Sequence, residues 1–270
     1  MRVLVTGASG FVGRALVEEL RHDGRAYEVH ALERGAGDLA DEGVAERAIA
    51  DIKPNVVVHS AARIGIACCE EEPLLALRSN VLATAFVAQA AAQHTARLAY
   101  VSTADVYEPA NLYALTKLWG EQVAGRYAPR GLVLLRVANP YGPGSKGALA
   151  TMLRQAASGE PVPAFRGEAR SWLWIGDATR AIRLVLESGD EGVFDIASDA
   201  APVTLTDAAR LACEIAGASP ELVEELEPPP GRVVVRTDVD RVRALGWRAE
   251  VGVEDGLRLT LASLQAPAAA

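Results

Sequence analysis

A chain of 270 residues, half of them hydrophobic and 23% charged, holds enough apolar side chain for one sizeable core with a smaller lobe, and is no disordered polymer. Its net charge of −8, spread without long runs, excludes binding nucleic acid across the whole surface, because a phosphate backbone demands clustered Lys and Arg. No apolar run is expected to reach a membrane span, no secretory leader is expected ahead of the short first strand, and three cysteines, two adjacent at Cys68 and Cys69, offer neither a disulfide framework nor metal-ligand spacing, so a cytoplasmic protein without a metal is expected.

The first expected strand, 2–6, runs straight into Gly7, Gly10 and Gly13, and an amphipathic run at Ala15, Leu16 and Leu20 follows. Glycines let the backbone turn sharply and approach a ligand closely, and the first turn of a helix offers unpaired N–H groups to an anion. A pyrophosphate fits such a cradle, although the spacing here is G-x-x-G-x-x-G and not the G-x-G-x-x-G of the dinucleotide fingerprint. The second strand, over 27–32, closes at Glu33, where a dinucleotide fold sets a carboxylate on the adenosine ribose. That carboxylate favours NAD, whereas Arg34 beside it could meet a 2′-phosphate and keeps NADP open. A solvated Glu33–Arg34 pair would need no ligand at all.

Strands over 55–59, 97–102 and 132–137 follow, with helices expected over 73–93 and 111–127. The alternation implies an α/β fold: a Rossmann-type, doubly wound parallel sheet covered on both faces. Beyond residue 140 the elements shorten, with breaks at 159–163, 200–202 and 227–231, as in a smaller C-terminal substrate-binding lobe. The expected division is an NAD-binding domain over 1–138 with 164–200, and a lobe over 139–163 with 201–270. Trp172 and Trp174 alternate as strand neighbours would, so core packing is expected of them, with stacking of one on a base as the alternative, and the Ala-rich tail from Ala266 is expected to fray.

The helix over 111–127 carries Tyr113 and Lys117, four apart and hence on one face. A free phenol titrates near pH 10, and a neighbouring ammonium is expected to lower that by roughly 1–3 pH units. The chain has only three lysines, at 53, 117 and 146, so the pairing is not a by-product of a Lys-rich surface. Upstream, Thr103 ends the strand over 97–102, where its hydroxyl can orient the substrate oxygen whose proton Tyr113 exchanges; a strand-end Thr can equally serve a turn.

Taken in order, the glycine turn, His59-Ser-Ala-Ala62, Ser102-Thr-Ala-Asp-Val-Tyr107, Tyr113 to Lys117, and Arg136-Val-Ala-Asn-Pro-Tyr-Gly-Pro-Gly144 resemble the NAD-dependent epimerase/dehydratase family of extended short-chain dehydrogenases. Arg170-Ser-Trp-Leu-Trp-Ile-Gly-Asp177 resembles that family's Arg-to-Asp segment, and 238–247 its closing Leu-Gly-Trp helix, so the resemblance spans nearly the whole chain. It implies that Thr103, Tyr113 and Lys117 form a catalytic triad. It implies that Gly7, Gly10, Phe11, Val12 and Gly13, with Glu33 and Arg34, Asp38 and Leu39 near the adenine, and Ser60, Ala61, Ala62 and Asn80, line the cofactor. It further implies a nucleotide sugar as substrate, with Asn139 and Arg170 near its sugar and diphosphate, and a homodimer. Lys146 could add a second charge to the diphosphate.

Three departures shape the expectation. Nine residues lie between Thr103 and Tyr113, fewer than the family usually has, so the segment over the sugar is trimmed. The family's Arg-Pro-Gly-Asp stretch reads Pro229-Pro-Gly-Arg232, so Arg232 or Arg236 replaces a phosphate ligand or the substrate lacks a diphosphate. Ala104 stands where dehydratase members carry an acid, which disfavours 4,6-dehydration; Asp105 comes second, as a base or as a solvated turn carboxylate. The expected activity is an NAD-dependent epimerase or 4-ketoreductase of a nucleotide sugar. The alternatives are a carbonyl reductase of a small non-nucleotide substrate and a catalytically silent dinucleotide sensor.

Overall fold

The structure, a computed structural model, describes residues 1–22, 27–128, 130–228 and 237–265. Two compact units divide the chain. One comprises Met1–Val137, Thr179–Ile196 and Val235–Trp247, the other Ala138–Ala178, Ala197–Val234 and Arg248–Ala270. The boundaries differ from the expected 164–200 and 201–270 blocks, for reasons visible in the main chain. Residues 169–174 are tied into the second unit by strand pairing of Ala169–Arg170 with Val203–Thr204 and of Leu173–Trp174 with Pro140–Tyr141. Residues 238–241 are tied into the first: the Asp238 amide donates to Asp195 at 2.7 Å, and Arg241 donates to the Val193 and Glu191 carbonyls at 2.6 and 2.9 Å.

The first unit is built on β1 (Arg2–Thr6), α1 (Phe11–His22), β2 (Glu28–Leu32), α2 (Val44–Ile52), β3 (Val56–His59), α3 (Ile66–Glu71), α4 (Pro73–Leu77), α5 (Ala83–Gln93), β4 (Arg97–Thr103), α6 (Leu112–Tyr127) and β5 (Leu132–Val137). Each of the five expected strands is present, and a sixth, Gly192–Ile196, joins beside β5. The sheet order is Gly192–Ile196, β5, β4, β3, β1, β2, with every pairing parallel. Val3 to Val5 and Val56 to Val58 are buried, as continuous β-branched runs in a doubly covered parallel sheet must be. The chain winds outward from β1 to β2 and then returns to β3 on the other side, so the switch point of the sheet lies between the ends of β1 and β3.

The helix expected over 73–93 is broken by a π turn at Arg78–Leu82 between α4 and α5. The whole run, Pro73–Gln93, is 21 residues with mean hydropathy 1.3, long and apolar enough by length and composition to cross a bilayer, contrary to the sequence expectation. Its burial accounts for the composition: Val87, Ala88, Ala90 and Ala91 pack with Leu4, Val57 and Leu98 in the core beneath the sheet. At the start of α6, the Asn111 side chain accepts the Ala114 amide at 3.0 Å and Glu70 accepts the Leu112 amide at 2.9 Å, so two of the first-turn amides find side-chain acceptors.

The second unit gathers Leu149, Leu153, Leu205, Ala209 and Leu257 into its own core. Trp172 is buried there, and Trp174 meets Tyr141 edge-on at 5.6 Å, which is the packing role expected of the two indoles.

Gly120, in the middle of α6, has a steric reason to lack a side chain: a Cβ there would lie 2.1 Å from the Tyr100 hydroxyl and 2.9 Å from the Asn80 carbonyl. Gly120→Ala is therefore expected to destabilise the protein by roughly 1–3 kcal/mol, against the ~1 kcal/mol that helix propensity alone would add. Urea unfolding checks the sign; a gain in stability would mean that the strand and helix part easily.

Candidate active site

The end of β1 and the end of β3 nest together at the switch point. Thr6 pairs with His59, and Gly7, at φ 65°, lies so close to the next loop that a Cβ on it would meet the Ala61 nitrogen at 2.5 Å. Gly10 donates its amide to the Gly7 carbonyl at 2.9 Å, and a Cβ on Gly13 would meet that carbonyl at 2.3 Å. Ser9 and Gly10 are exposed, and Phe11 and Val12 at the start of α1 are half-buried. No acidic residue occupies the first turn of α1 to oppose an anion. A concave, side-chain-free backbone at a helix start fits a dinucleotide pyrophosphate. Gly13→Ala is expected to weaken NAD binding at least about tenfold, measured by fluorescence titration of the folded variant, because the first turn must shift to admit the methyl.

Glu33 is exposed directly after β2, as expected, and the Arg34 side chain lies outside the described residues. Asp38 is engaged: its carboxylate accepts the Ala40 amide at 2.9 Å and the Arg78 guanidinium at 3.1 Å, and Arg78 also pairs with Asp41. Leu39 packs against the core beneath the sheet. Ser60, Ala61 and Ala62 are half-buried at the end of β3.

Asn80 is buried, and its amide is fully committed. Its oxygen accepts the Arg63 amide at 2.7 Å, and its nitrogen donates to the Arg63 carbonyl and to Thr116 Oγ1, both at 2.9 Å. Thr116 in turn donates to the Tyr113 carbonyl at 2.9 Å. The residue expected along the cofactor is thus a clamp that joins the loop after β3 to the helix carrying Tyr113 and Lys117.

Thr103 is buried at the end of β4 and caps a 3-10 turn, Ala104–Tyr107, by accepting the Asp105 amide at 3.3 Å. Tyr113, on the first turn of α6, is half-buried. Burial pushes its phenol above the ordinary range, the Asp105 carboxylate adds to the shift, and the Thr103 side chain pulls it partly back. The expectation that Lys117 lowers this phenol is corrected: burial and the Asp105 carboxylate raise it, and Lys117, whose amine is held at the Val101 carbonyl, is not among the groups that shift it. Lys117 is buried, with Nζ donating to the Val101 carbonyl at 2.7 Å and lying 4.0 Å from the centre of the Tyr100 ring. Burial pulls Lys117 down to about 7, opposed by Glu121 one turn further along α6.

Asn139, Lys146 and Arg170 belong to the second unit. Asn139 holds a left-handed φ of 43°, a conformation rare outside glycine that is tolerated by Asn; its side chain donates to the Ser171 carbonyl at 3.3 Å. Lys146 is exposed in a loop whose Ser145 carbonyl is gripped by Arg154 at 2.9 Å. Arg170 lies 3.7 Å from Glu168 and 5.9 Å from the Trp172 ring. Arg232 and Arg236 lie outside the described residues.

Sequence reasoning gave His59 no role. It is fully buried, with Nδ1 2.7 Å from Thr6 Oγ1 and Nε2 3.1 Å from Thr84 Oγ1. Since Thr84 gives its proton to the Asn80 carbonyl, it accepts from Nε2, and Thr6 donates to Nδ1. Burial holds His59 down to about 3, with the Lys117 charge second, so the ring is neutral. Arg136 and Glu121 form a bidentate pair at 2.6 and 3.0 Å, and Arg136 lies 4.5 Å over the Tyr107 ring, whose hydroxyl donates to Asp195 at 2.9 Å. A polar residue ending an all-valine run, as His59 does after Val56 to Val58, was the available signal.

A Gly-lined cradle at the switch point of a parallel sheet covered by helices defines a Rossmann-type α/β fold, with Thr103 at the end of β4 and Tyr113 and Lys117 on the following helix. The profile of the NAD dependent epimerase/dehydratase family matches residues 3–197, and the chain belongs to that family. Its members are NAD(P)-dependent enzymes, so this chain is an enzyme that uses a nicotinamide dinucleotide. It is 32% identical over 239 residues to a dTDP-4-dehydrorhamnose reductase of Mycolicibacterium smegmatis, spanning 82% of this chain and 71% of that protein. It is 28% identical over 312 aligned positions to the UDP-glucose 4-epimerase of the same organism, spanning 97% of each. The crystal structure of the Thermus thermophilus UDP-glucose 4-epimerase complex with NAD matches with TM-score 0.85 and 28% identity, over 98% of this chain and 99% of that one.

The two shifted buried groups set the pH dependence of stability. His59 moves from 6.5 to about 3, so its contribution is complete above 6.5 and is lost as the pH falls towards 3. Lys117 moves from 10.5 to about 7, so the cost of burying its charge is full below 7 and is relieved as the pH rises towards 10.5. Lys117→Met is expected to remove that second rise: between pH ~6 and ~10 the wild type should gain roughly 3–5 kcal/mol relative to the variant in denaturant unfolding.

Proposed function

We propose that this enzyme interconverts a hydroxyl and a carbonyl on a nucleotide-linked sugar, as a sugar epimerase or 4-ketoreductase with NAD as the preferred cofactor. The observation that carries this reading is the meeting of Thr103, Tyr113 and Asp105 at the end of β4, with Lys117 one turn along α6 and the glycine cradle at the end of β1 on the same edge of the sheet, one strand removed. When bound, the dinucleotide supplies a ring that accepts or donates hydride. Gly7, Gly10, Phe11, Val12 and Gly13 would hold its pyrophosphate, and Glu33 its adenosine ribose.

The chain's own residues manage the proton. Tyr113 Oη gives a proton to the sugar carbonyl or takes one from the sugar hydroxyl, and Thr103 orients that oxygen by hydrogen bonding. A phenol pushed upward by burial rests in its protonated form, from which carbonyl reduction begins. Lys117, held down to about 7, can exchange protons near neutral pH and thereby restore the phenol. Asn139, Lys146, Arg170 and Arg232 are assigned to the sugar and diphosphate, with the guanidinium fork suited to phosphate oxygens. The names of the two sequence relatives support a nucleotide-sugar substrate, since a reductase and an epimerase share that substrate class.

The trimmed segment of nine residues between Thr103 and Tyr113 favours a second reading, a carbonyl reductase of a small non-nucleotide substrate. A panel of nucleotide sugars with product analysis separates them. Turnover with retained NAD means epimerase, and stoichiometric loss of NADH means reductase. The absence of any turnover or nucleoside-diphosphate binding overturns the leading reading. Tyr113→Phe should lower turnover by roughly 10²–10⁴-fold with nucleotide-sugar binding retained.

A further inference from the structure

We propose that Tyr100 is a positioning residue whose ring face holds the Lys117 ammonium in place. Tyr100 lies on β4, fully buried, three residues before Thr103. Lys117 Nζ sits 4.0 Å from the centre of its ring and donates to the carbonyl of the next residue, Val101, at 2.7 Å. Two adjacent residues of one strand therefore fix the amine from two directions, one through a carbonyl and one through a π face.

The hydroxyl does not explain why a tyrosine stands there. Among the described residues it makes no hydrogen bond of ordinary geometry, and its neighbour Thr84 already gives its own proton to the Asn80 carbonyl. What α6 does provide is room for the ring. Gly120, three residues after Lys117, lacks the Cβ that would strike the Tyr100 hydroxyl at 2.1 Å. The same helix thus opens space for the ring with one residue and lays a cation on it with another.

The other titratable groups around the pair come from each packed element: neutral His59 from β3 and Glu121 from α6 act on Lys117, while Tyr113 acts on Tyr100, with Asp105 beyond it. Glu121 is already bound bidentately by Arg136, so its charge is shared. A buried, desolvated ring is where a cation–π contact is strongest. The contact favours the charged amine and so opposes the burial that pulls Lys117 down.

The catalytic importance of this contact rests on the function proposed above, but its test does not. The full chain is labelled with 13C at the lysine ε carbon; three lysines give three signals, and Lys117→Arg assigns the one from 117. Position 100 is then changed to Phe and to mono-, di- and trifluorophenylalanine, which drain the ring face at nearly constant shape. Tyr100→Phe should keep the Lys117 titration near its wild-type midpoint, and successive fluorines should lower it stepwise, by on the order of one pH unit in all. A midpoint that ignores fluorine number, in variants that melt like wild type, overturns the proposal and leaves Val101 as the sole anchor. Should Tyr100→Phe itself misfold, Tyr100→Trp replaces it, with a midpoint at or above wild type supporting the contact and one well below it refuting it. Failure of the nucleotide-sugar panel would leave this titration readable.

Discussion

The close approach of the Gly7 turn to the loop after β3 is the constraint on which the rest of the first unit depends. Two backbone segments that leave no room for a methyl group between them define the cradle, and polar side chains secure them from below. Thr6, His59, Thr84 and Asn80 form a continuous buried hydrogen-bonded thread from the end of β1 to the π turn. Asn80 then reaches both Arg63 in the loop and Thr116 in α6. Each partner is satisfied, so the thread stabilises the position of the site without leaving an orphaned polar atom among its own members.

The same thread explains the electrical state of the centre. A neutral imidazole close to a buried ammonium avoids a second positive charge, and its tautomer is fixed by the two threonines. The Arg136–Glu121 pair keeps a formal negative charge near Lys117 while the guanidinium neutralises part of it. The site therefore holds one amine pulled down to about 7 and one phenol kept protonated. This balance comes from burial first and from charge partners second.

Much of this was legible in the chain. Five apolar, β-rich runs correspond to five sheet strands, most plainly β1 and β3, whose central residues are buried on both faces, and the Gly7, Gly10, Gly13 spacing marked a turn that only side-chain-free backbone can make. The 111–127 helix was legible from its length and periodicity, and the Asn111 cap that starts it emerged only in the structure. Other features were hidden for physical reasons. The strand Gly192–Ile196 was not anticipated; it contains Asp195, whose carboxylate is used by Tyr107 and Asp238 and breaks the apolar run. The division into units was misjudged at 164–178 because two-residue strand pairs leave no periodicity. The direction of the Tyr113 shift depends on Asp105 and on burial, neither of which helical spacing reveals. Asn80 was singled out by resemblance alone, and no sequence pattern announces that its amide also ties the Arg63 backbone to the Thr116 hydroxyl.

The π turn at Arg78–Leu82 carries a consequence for how this fold tolerates change in length. Such a turn holds one residue more than the α-helical turn it replaces, and each residue of a helix corresponds to roughly 100° of rotation. Excision of a single residue there would let the helix run regularly, yet it would swing Asn80 off its three partners and carry the Pro73–Leu77 segment round with it. The indel, not the point substitution, is the change this segment is least able to absorb.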